Sequence, residues 1–331
     1  MKAIVFPARG EVAFVDRPDP RPGPGEALVE VRASGICHTD LEVLAANYGP
    51  GAFPVVPGHE YAGVVVELGP DTPGPSVGTR VVVDPNIECG RCRACGRGQA
   101  HLCEALRAYG VTQDGGFAER SVVRASGLHA IGDIPFHVAA LAEPMGCVLN
   151  GVDAVADSSV QSALIFGAGP MGLLMAIALK GRGVREVAVC DIDEARLDLA
   201  ESFDLQTVAS QSADLDRFRH GTDLAVDATG VPSVAAGLTG YAASGGKVLF
   251  FGVCPSEARI EISPFEVFRR QLTLTGSHSL NHNIPVALAA LDGYGPDIGR
   301  LVSHRLPLPE VAAILAGKTP RGSLKVQALV S

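Results

Sequence analysis

Residues 162–191 read SALIFGAGPMGLLMAIALKGRGVREVAVCD, and this stretch decides the fold of the second half of the chain. A short apolar run predicts a buried strand, and a longer apolar run after the glycine-rich turn predicts a buried helix. Pro170 stands at the first turn of that helix, where no amide hydrogen is needed. A second apolar run then ends at Asp191. Strand, turn, helix and strand in this order predict a parallel sheet with helices on both faces.

The turn in this stretch has the spacing Gly167-x-Gly169-x-x-Gly172. The first glycine permits a tight turn, the second lets the backbone approach a pyrophosphate, and the third allows the helix to pack closely on the strand. Pro170 and Met171 open the helix, whose exposed amides are predicted to bind phosphates. A glycine-rich turn alone is weak evidence, but its place between an apolar strand and an apolar helix makes it a dinucleotide fingerprint.

Asp191 ends the next strand, close to where the fingerprint expects an acidic residue. Its carboxylate is predicted to accept hydrogen bonds from the adenosine ribose hydroxyls and to repel a 2′-phosphate. Ile192 and Asp193 offer no cation to offset that charge, so the sequence favours NAD over NADP. The alternative is that Asp191 only caps the helix that starts near Asp193. Arg196 is predicted to contact the adenosine end, and a solvated surface arginine is an equally good interpretation.

Four cysteines are spaced Cys89-x2-Cys92-x2-Cys95-x7-Cys103. Four soft thiolates suit a closed, tetrahedral structural zinc, and the metal would order a segment that has no hydrophobic periodicity. The apolar run after Met1 is too short for a signal peptide. We therefore expect a reducing, cytoplasmic compartment, in which metal binding is favoured over disulfides.

The composition is that of a soluble enzyme, with 47% apolar and 19% charged residues among 331. A chain of this length is expected to form two domains. The formal net charge of −9 argues against nucleic acid or an anionic membrane as a partner. The apolar stretch 162–179 has about the length of a minimal membrane span, but glycines and a proline interrupt its middle. We therefore expect no membrane partner.

The first part of the chain reads as strands separated by turns rich in glycine and proline. The predicted strands are Lys2–Phe6, Glu11–Val15, Ala27–Ala33, Ala62–Leu68 and Thr79–Val83. Their spacing predicts a compact β-barrel-like unit. Strands and helices alternate in the second part, and the chain becomes irregular again from about Ser277. The predicted domains are residues 1–147 (with the metal lobe at 84–105), 148–280, and a return to the first domain at 281–331.

Together these features resemble the zinc-containing medium-chain dehydrogenase/reductase family over nearly the whole chain. Besides the four cysteines and the GAGPMG turn, the motifs that carry the resemblance are Gly35-Ile-Cys37-His-Thr39-Asp40, Gly58-His59-Glu60, Gly115-Gly-Phe-Ala-Glu119, Ala142-Glu143-Pro144, Asp227-Ala-Thr229-Gly230 and His304-Arg305. The pair Glu143-Pro144 is most like the polyol (sorbitol/xylitol-type) dehydrogenase branch.

The resemblance implies an α/β protein with a GroES-like, β-rich catalytic domain and a Rossmann coenzyme domain, a doubly wound parallel sheet inserted before the C-terminal segment. It implies NAD as the cofactor, Thr229 among the residues that bind it, and an active site in the cleft between the domains. It also implies two zinc ions per chain, one at the four cysteines and one at a catalytic site.

For the catalytic zinc, Cys37 and His59 match the first two ligands of the family. Glu60, next to the histidine, and Glu143, at the start of a predicted helix, both match a third, carboxylate ligand. Members of this branch are expected to use one or the other, sometimes exchanging them with a water. Cys147 is a rival because one helical turn places it on the same face as Glu143, although a buried core thiol is the simpler interpretation.

The resemblance also suggests roles around this metal. Asp40 is expected to accept a hydrogen bond from the far ring nitrogen of His59 and so to orient the ring, with a plain surface aspartate as the alternative. Thr39 matches the family's hydroxyl that passes the substrate proton toward the cofactor ribose, with a packing residue as the alternative. This chain has Glu42 and Asn150 where many relatives have histidine, which leaves the later part of the proton relay open.

The function implied is NAD-linked oxidation of a secondary alcohol to the ketone, with a sugar alcohol as the expected small-molecule substrate. A hydroxy amino acid such as threonine is the alternative substrate, and a non-catalytic NAD-binding protein is the alternative from another class. His278 and Asn281 are candidates to reach the nicotinamide or the substrate, and Tyr48, Phe53 and Phe117 are candidate pocket walls. A homodimer or homotetramer is expected, and these motifs do not fix which alcohol is used.

Overall fold

The structure is a computed structural model that describes residues 1–47, 52–318, 320 and 322–330. The chain divides into two compact units, the first made of residues 1–146 and 281–331 and the second of residues 147–280. The first unit therefore consists of two separate parts of the chain, and the second unit is one continuous insertion between them.

The first unit consists mainly of strands, whereas strands and helices alternate in the second unit. The strands are β1 (Lys2–Val5), β2 (Ala13–Asp16), β3 (Glu26–Gly35), β4 (Glu60–Leu68), β5 (Arg80–Val83), β6 (Asn86–Ile87), β7 (Arg107–Ala108), β8 (Arg120–Arg124), β9 (Leu128–Ala130), β10 (Ser162–Phe166), β11 (Glu186–Asp191), β12 (Gln206–Ala209), β13 (Thr222–Asp227), β14 (Ala242–Phe250), β15 (Thr273–Gly276), β16 (Val302–Leu306) and β17 (Lys325–Leu329). The helices are α1 (His38–Leu44), α2 (Arg93–Gly96), α3 (Phe136–Ala139), α4 (Ala142–Val155), α5 (Pro170–Gly181), α6 (Glu194–Glu201), α7 (Pro232–Gly237), α8 (Pro264–Arg270), α9 (Ile284–Tyr294) and α10 (Leu308–Leu315).

The first unit is built on a seven-stranded sheet in the order β16-β17-β3-β4-β5-β9, with β8 paired to β3. β16 and β17 run parallel, and the other neighbours run antiparallel. Side chains alternate between the two faces of a strand, so Val29 and Val31 of β3 point to the same side. They belong to a buried core that also contains Phe6, Tyr61 and Phe117. This sheet is the β-rich unit that the strand spacing predicts.

The second unit contains a six-stranded sheet in the order β12-β11-β10-β13-β14-β15. All of its neighbouring strands run parallel, as the sequence predicts. Counted from the first strand of this unit, the order is 3-2-1-4-5-6, which is the doubly wound dinucleotide-binding arrangement. Helix α5 is apolar on all sides, and every residue from Gly172 to Leu179 is buried, as expected for a helix packed within such a fold.

One prediction about the secondary structure is wrong, and one strand of the second unit was not predicted. The segment after Ser277 is not irregular, since it contains α9, β16, α10 and β17. The sequence hides β17 because Lys325 and Gln327 interrupt its apolar pattern, although both side chains are buried in the fold. The short edge strand β12 was also missed, because it begins with the polar pair Gln206-Thr207 and an edge strand needs little apolar surface.

The candidate pocket walls are mostly core residues. Phe117 has no exposed surface and lies within the core of the first unit. Phe53 is partly buried and packs against the same core. Tyr48 lies outside the described residues.

One helical segment in the described part of the chain is long and apolar enough to cross a membrane. This segment is Phe136–Val155, and 78% of its apolar window is buried inside the structure. The stretch 162–179, which also has about the length of a minimal membrane span, is divided between strand β10 and helix α5. Burial of this kind is what the core helix of a globular protein shows.

Candidate metal centres and coenzyme site

Two strand ends bring the first candidate metal ligands together. β3 and β4 are antiparallel with Gly35 opposite Glu60, so the residues after β3 and those before β4 meet at one edge of the sheet. Cys37 follows β3 as the N-cap of α1, and His59 comes directly before β4. Among the described residues, the ligand atoms of Cys37, His59 and Glu60 all lie within 4.8 Å of one another. We call these three residues the Cys37 cluster.

Asp40 connects the two loops of the Cys37 cluster. It is fully buried, and one of its oxygens accepts a hydrogen bond from the amide of Cys37 at 2.8 Å. The other oxygen accepts one from the amide of Gly58 at 3.2 Å and lies 3.4 Å from Nδ1 of His59. The carboxylate therefore fixes the backbone on both sides of the cluster and faces one ring nitrogen of His59, which leaves the other nitrogen for a ligand.

The electrostatics of the Cys37 cluster favour a cation. Burial alone would lower the pKa of His59, but the charge of Asp40 and the neighbouring Cys37 hold that pKa well above its usual range. The buried site thus stabilises positive charge on the imidazole. A metal ion bound between the same groups would supply that positive charge itself.

Glu60 is held by a lysine that sequence reasoning missed. Glu60 is fully buried, and both of its oxygens accept hydrogen bonds from Lys325 at 2.7 Å. Lys325 lies in β17, 265 positions further along the chain, so no local pattern links the two residues. Gly35 makes room for the carboxylate, because a Cβ at that position would lie 2.1 Å from Oε2 of Glu60.

The second candidate carboxylate lies close by but outside the cluster. Glu143 is in the first turn of α4 and is 7% exposed. In the described part of the chain it is not grouped with Cys37 and His59, and neither is Cys147. Its charge nevertheless acts on Lys325, as does that of Glu60. Two buried carboxylates therefore share one buried lysine beside the candidate ligands.

The proposed relay residues occupy three different environments. The thiol of Cys37 donates to Oγ1 of Thr39 at 3.6 Å, which places the threonine hydroxyl beside the cluster. Glu42 lies one turn further along α1, and its carboxylate is 3.2 Å from Nε2 of His38. Asn150 instead holds backbone, since its amide donates to the carbonyl of His278 at 3.1 Å and to that of Ser279 at 2.9 Å.

The donor set of the Cys37 cluster fits a catalytic zinc. Such zinc ions take three protein ligands from cysteine, histidine and carboxylate side chains and keep one position open. Cys37, His59 and one carboxylate, from Glu60 or Glu143, would hold the ion. Asp40 would act as the outer partner that orients the histidine, a feature common at metal-binding histidines.

The second metal centre is the four-cysteine lobe. The sulfur atoms of Cys89, Cys92, Cys95 and Cys103 lie within 4.8 Å of one another. Backbone amides point at several of them, and the amide of Cys89 donates to the sulfur of Cys103 at 3.3 Å. Hydrogen bonds from the amides of Cys95 and Glu104 lower the pKa of Cys92 to about 6. The amides of Arg91 and Cys92 lower the pKa of Cys89 as well, whereas burial raises that of Cys95 to about 12, so the local backbone favours a thiolate at two of the four cysteines. Four cysteine sulfurs at this spacing suit a structural zinc, which binds them as thiolates.

Asn281 secures this lobe and does not behave as a nicotinamide contact. Its amide nitrogen donates to the carbonyl of Gly98 at 2.9 Å, and its amide oxygen accepts from the nitrogen of Ala100 at 3.1 Å. The side chain is therefore occupied by the backbone of the cysteine segment. These contacts do not support the prediction that Asn281 reaches the nicotinamide or the substrate.

Asp84, where β5 ends and the lobe begins, gives a pH-dependent prediction. It is 5% exposed, and burial raises its pKa to about 6 although Asn86 and His282 oppose the shift. Because the folded state prefers the neutral acid, stability falls as pH rises from the unfolded pKa of about 4 to the folded value, and stays low above it. Asp84→Asn should therefore stabilise the protein by about 1–3 kcal/mol at pH 8 and hardly at all at pH 4. Thermal unfolding at both pH values tests this, and an equal gain at both would contradict it.

The glycine turn of the second unit has the geometry that a pyrophosphate site needs. Gly167 has a φ of +105°, and a Cβ on Gly172 would lie 1.8 Å from the carbonyl oxygen of Gly167. Both positions therefore require glycine for close packing of the turn on α5. A Cβ on Gly169 would meet nothing within 4 Å, so the space beside this residue is open. Pro170 begins α5 at this point, followed by Met171.

Asp191 at the end of β11 is held by three backbone amides. Ala168 donates to one carboxylate oxygen at 2.6 Å, and Ile192 and Asp193 donate to the other at 2.7 and 3.0 Å. Asp193, rather than Asp191, caps α6 with its side chain. Arg196 lies 3.9 Å from the carboxylate of Asp191. The negative charge of Asp191 is therefore fixed beside the glycine turn.

Thr229 lies against the same turn. Its amide and hydroxyl both donate to Oδ1 of Asp227, at 2.8 and 2.6 Å. Asp227 ends β13, the strand next to β10, and is fully buried. A Cβ on Gly167 would lie 3.1 Å from the methyl carbon of Thr229. Buried Asp227 thus holds the threonine where the first glycine of the turn needs to be small.

The chain matches known families and relatives along nearly its whole length. Residues 23–133 match the alcohol dehydrogenase GroES-like domain, and residues 170–292 match the zinc-binding dehydrogenase family. The chain is 52% identical to D-altritol 5-dehydrogenase of Agrobacterium fabrum over 99% of both chains. It is 31% identical to D-arabinitol dehydrogenase 1 of Uromyces fabae, covering 98% of this chain and 96% of the relative.

The fold is also that of a solved relative. A zinc-binding dehydrogenase from Sinorhizobium meliloti, crystallised with NADP, superposes with a TM-score of 0.93 at 32% identity, over 99% of this chain and 98% of that one. The GroES-like and Rossmann units expected from the sequence are thereby confirmed. The chain belongs to the zinc-containing medium-chain dehydrogenase/reductase family and, within it, to the polyol dehydrogenase branch.

Proposed function

We propose that the chain oxidises a secondary hydroxyl of a sugar alcohol to the ketone, with NAD as the hydride acceptor and a catalytic zinc at the Cys37 cluster. The observation that carries the proposal is the convergence of a cysteine sulfur, an imidazole and a carboxylate, whose ligand atoms lie within 4.8 Å of one another where β3 ends and β4 begins. Similarity to sugar-alcohol dehydrogenases, at 52% identity over 99% of the chain in one case, supports the substrate class.

The surrounding side chains have defined roles in this proposal. Cys37 and His59 would hold a zinc ion, which would supply Lewis-acid activation of the substrate hydroxyl. Asp40 keeps both ligand loops in place through its hydrogen bonds to the amides of Cys37 and Gly58. The hydroxyl of Thr39, beside Cys37, accepts the substrate proton and passes it on.

A second zinc is proposed for the four-cysteine lobe, with a structural role. The lobe has little secondary structure of its own beyond the four-residue helix α2. A metal ion held by four sulfurs would replace the hydrophobic core that so short a segment cannot form. Thiolate sites of this kind persist in reducing compartments, which supports the expectation of a cytoplasmic enzyme.

NAD is proposed over NADP because of Asp191. Its carboxylate is only 8% exposed and is held in place by three amides, so it cannot swing away from a 2′-phosphate. Arg196 is the nearby cation, but Asp193 lies 3.7 Å from the same guanidinium and offsets it. The Sinorhizobium meliloti relative binds NADP, so the choice needs a direct test.

Asp191→Asn should lower the preference for NAD over NADP by about ten-fold or more, since one pairwise charge repulsion of about 1.4 kcal/mol is removed. Asparagine keeps one oxygen, which can accept from the amides of Ile192 and Asp193, while the hydrogen bond from Ala168 is lost, so thermal unfolding of the variant is measured alongside its kinetics. The measurement is kcat/KM with each coenzyme at saturating alcohol. An unchanged ratio would remove Asp191 as the selector.

A homo-oligomer, dimer or tetramer, is proposed from two surface features of the second unit. β15 is the outermost strand of the parallel sheet. On the neighbouring helix α8, Phe265 and Phe268 are 62% and 81% exposed. An open strand edge next to exposed aromatic rings is typical of a surface that a second copy covers. Sedimentation analysis of the purified protein would give the number of chains.

The decisive test of the proposed function is coenzyme reduction against pentitols, hexitols, simple alcohols and threonine. We expect one polyol class to exceed the other substrates in kcat/KM by about ten-fold or more. Preferred turnover of threonine would instead support the hydroxy amino acid alternative. No turnover of any substrate, although zinc and NAD are bound, would support the non-catalytic alternative.

A further inference from the structure

Lys325 is a buried cation inside the candidate catalytic site. It is 4% exposed, although it lies in a strand of the sheet and not at the surface. Its ammonium donates to both oxygens of Glu60 at 2.7 Å and to the carbonyl of Ile36 at 3.1 Å. An ammonium group has three hydrogens, and these contacts use all of them.

The sheet places this lysine beside the metal ligands. β17 and β4 lie on opposite sides of β3, where Gly35 is paired with Gln327 of one neighbour and with Glu60 of the other. The missing side chain at Gly35 leaves the space in which the carboxylate of Glu60 lies. The ion pair between Lys325 and Glu60 thus crosses strand β3 at Gly35, the position where this strand has no side chain.

Burial of such an ion pair is unfavourable for the stability of the fold, which suggests that the pair has a functional role. Taking two charges out of water costs several kcal/mol per ion, and replacing such a pair by apolar residues is often neutral or stabilising. Burial lowers the pKa of Lys325, but the charges of Glu60, Cys37 and Glu143 raise it above its usual value, so the lysine interacts electrostatically with three candidate zinc ligands. Its contacts point to the metal site rather than to fold stability.

We propose that Lys325 is a positioning residue that competes with the catalytic zinc for Glu60 and so sets how tightly the metal is held. The proposal rests on the proposed function, because it takes the Cys37 cluster as the zinc site. Both oxygens of Glu60 accept a hydrogen bond from the ammonium in this structure, which orients the carboxylate toward Lys325 and makes it a weaker donor to a metal ion, although each oxygen keeps a second lone pair.

The sum of the charges at the site also predicts that Lys325 weakens metal binding. With zinc bound, the charges of Cys37, Asp40, Glu60, Glu143, Lys325 and the metal sum to −1. Without the lysine the site carries one extra negative charge, and Glu60 has no cation to bind except the metal. Loss of Lys325 should therefore strengthen metal binding and bring Glu60 into the coordination sphere.

The test uses the full-length protein reconstituted with Co²⁺ or Zn²⁺ after the metals have been removed. Metal affinity at the weaker site is measured by competition with a chelator, and Co²⁺ absorption in the visible range reports the ligands. Lys325→Met should raise the affinity by about 10–100-fold, the range typical of outer-shell changes, and should change the Co²⁺ spectrum. Glu60→Gln alone should leave the Co²⁺ spectrum unchanged and weaken metal binding modestly, because one nearby negative charge is lost. The double variant loses one charge of each sign and should return both readouts to the wild-type values.

Lys247→Met is the matched control. Lys247 is 17% exposed at its side chain and pairs with Asp157 at 2.6 Å, entirely within the second unit. Its loss removes a partly buried ion pair without touching the Cys37 cluster, so metal affinity should stay the same. If Lys325→Met does not fold, the Glu60→Gln and double variants still report on the pair, because neither contains an unpaired buried carboxylate at position 60.

Several results would overturn the proposal. Weaker or unchanged metal binding in Lys325→Met would do so, and so would tighter binding with an unchanged Co²⁺ spectrum, which would mean that charge alone acts. A large loss of affinity in Glu60→Gln would show that Glu60 is a permanent ligand. Failure of the wild-type protein to bind a second metal ion would instead contradict the proposed function, which keeps the two failures distinct.

Discussion

Replacing Cys37 by serine is expected to reduce kcat/KM by at least about 10³-fold. A catalytic metal supplies several kcal/mol of transition-state stabilisation, and each 1.4 kcal/mol corresponds to a factor of ten in rate. Cys37 provides the thiolate of the cluster in which the ligand atoms lie within 4.8 Å of one another. The zinc content should fall from two ions per chain to one, because the four-cysteine lobe does not involve Cys37.

Cys147→Ser is the control for this variant. Cys147 is the rival ligand suggested by the sequence, but it lies outside the Cys37 cluster in the described part of the chain. Serine at this position should leave zinc content and activity close to those of the wild type. Loss of one zinc from Cys147→Ser, with zinc retained by Cys37→Ser, would reverse the ligand assignment. Metal analysis and initial rates on the same preparations decide between the two.

Gly172→Ala is expected to disrupt the second unit. The new Cβ would lie 1.8 Å from the carbonyl oxygen of Gly167, and a backbone atom cannot move aside as a flexible side chain can. Overpacking of this kind costs about 3 kcal/mol. We expect a lower unfolding temperature and little or no NAD binding, measured by thermal unfolding and by titration of NADH fluorescence.

Gly169→Ala, three residues before Gly172, is the matched variant, and the opposite pattern is expected for it. Its Cβ would meet nothing within 4 Å, and the backbone φ of −72° suits any residue. Stability should be unchanged or slightly higher, since alanine restricts the unfolded chain. NAD binding should weaken by about ten-fold or more, the equivalent of one hydrogen bond to a charged group, because the methyl group fills the space that the pyrophosphate needs. Equal affinity in this variant would place the pyrophosphate elsewhere.

Short-range features of the fold and site could be predicted because their physics is local. The tight turn at Gly167 and the packing at Gly172 depend on residues within one strand–turn–helix unit. The four cysteines lie within one segment, so their spacing alone indicates a shared metal. The alternation of apolar strands and helices likewise gives the parallel sheet, and all of its neighbouring strands are parallel in the structure.

Contacts between residues far apart in the sequence could not be predicted, because no local sequence pattern indicates which distant residue will be the partner. Asn281 reads as a candidate for the nicotinamide, yet its amide binds the backbone of Gly98 and Ala100. The strand β17 reads as irregular because its lysine and glutamine look like surface residues. Their burial is stable only because partners elsewhere in the chain satisfy them: Gln327 donates to the carbonyl of His137, and Lys325 to Glu60.

The sequence by itself determined the parallel dinucleotide-binding sheet, the four-cysteine lobe and the family, because periodicity, glycine geometry and ligand spacing act over short distances. Only the tertiary structure decided which carboxylate lies with Cys37 and His59, and what holds it there. Glu60 occupies that position because the antiparallel register of three strands places it opposite Gly35 of β3, with Lys325 on the strand at the other side of β3. Register is a property of strand pairing, and residues 265 positions apart meet only when the sheet has formed.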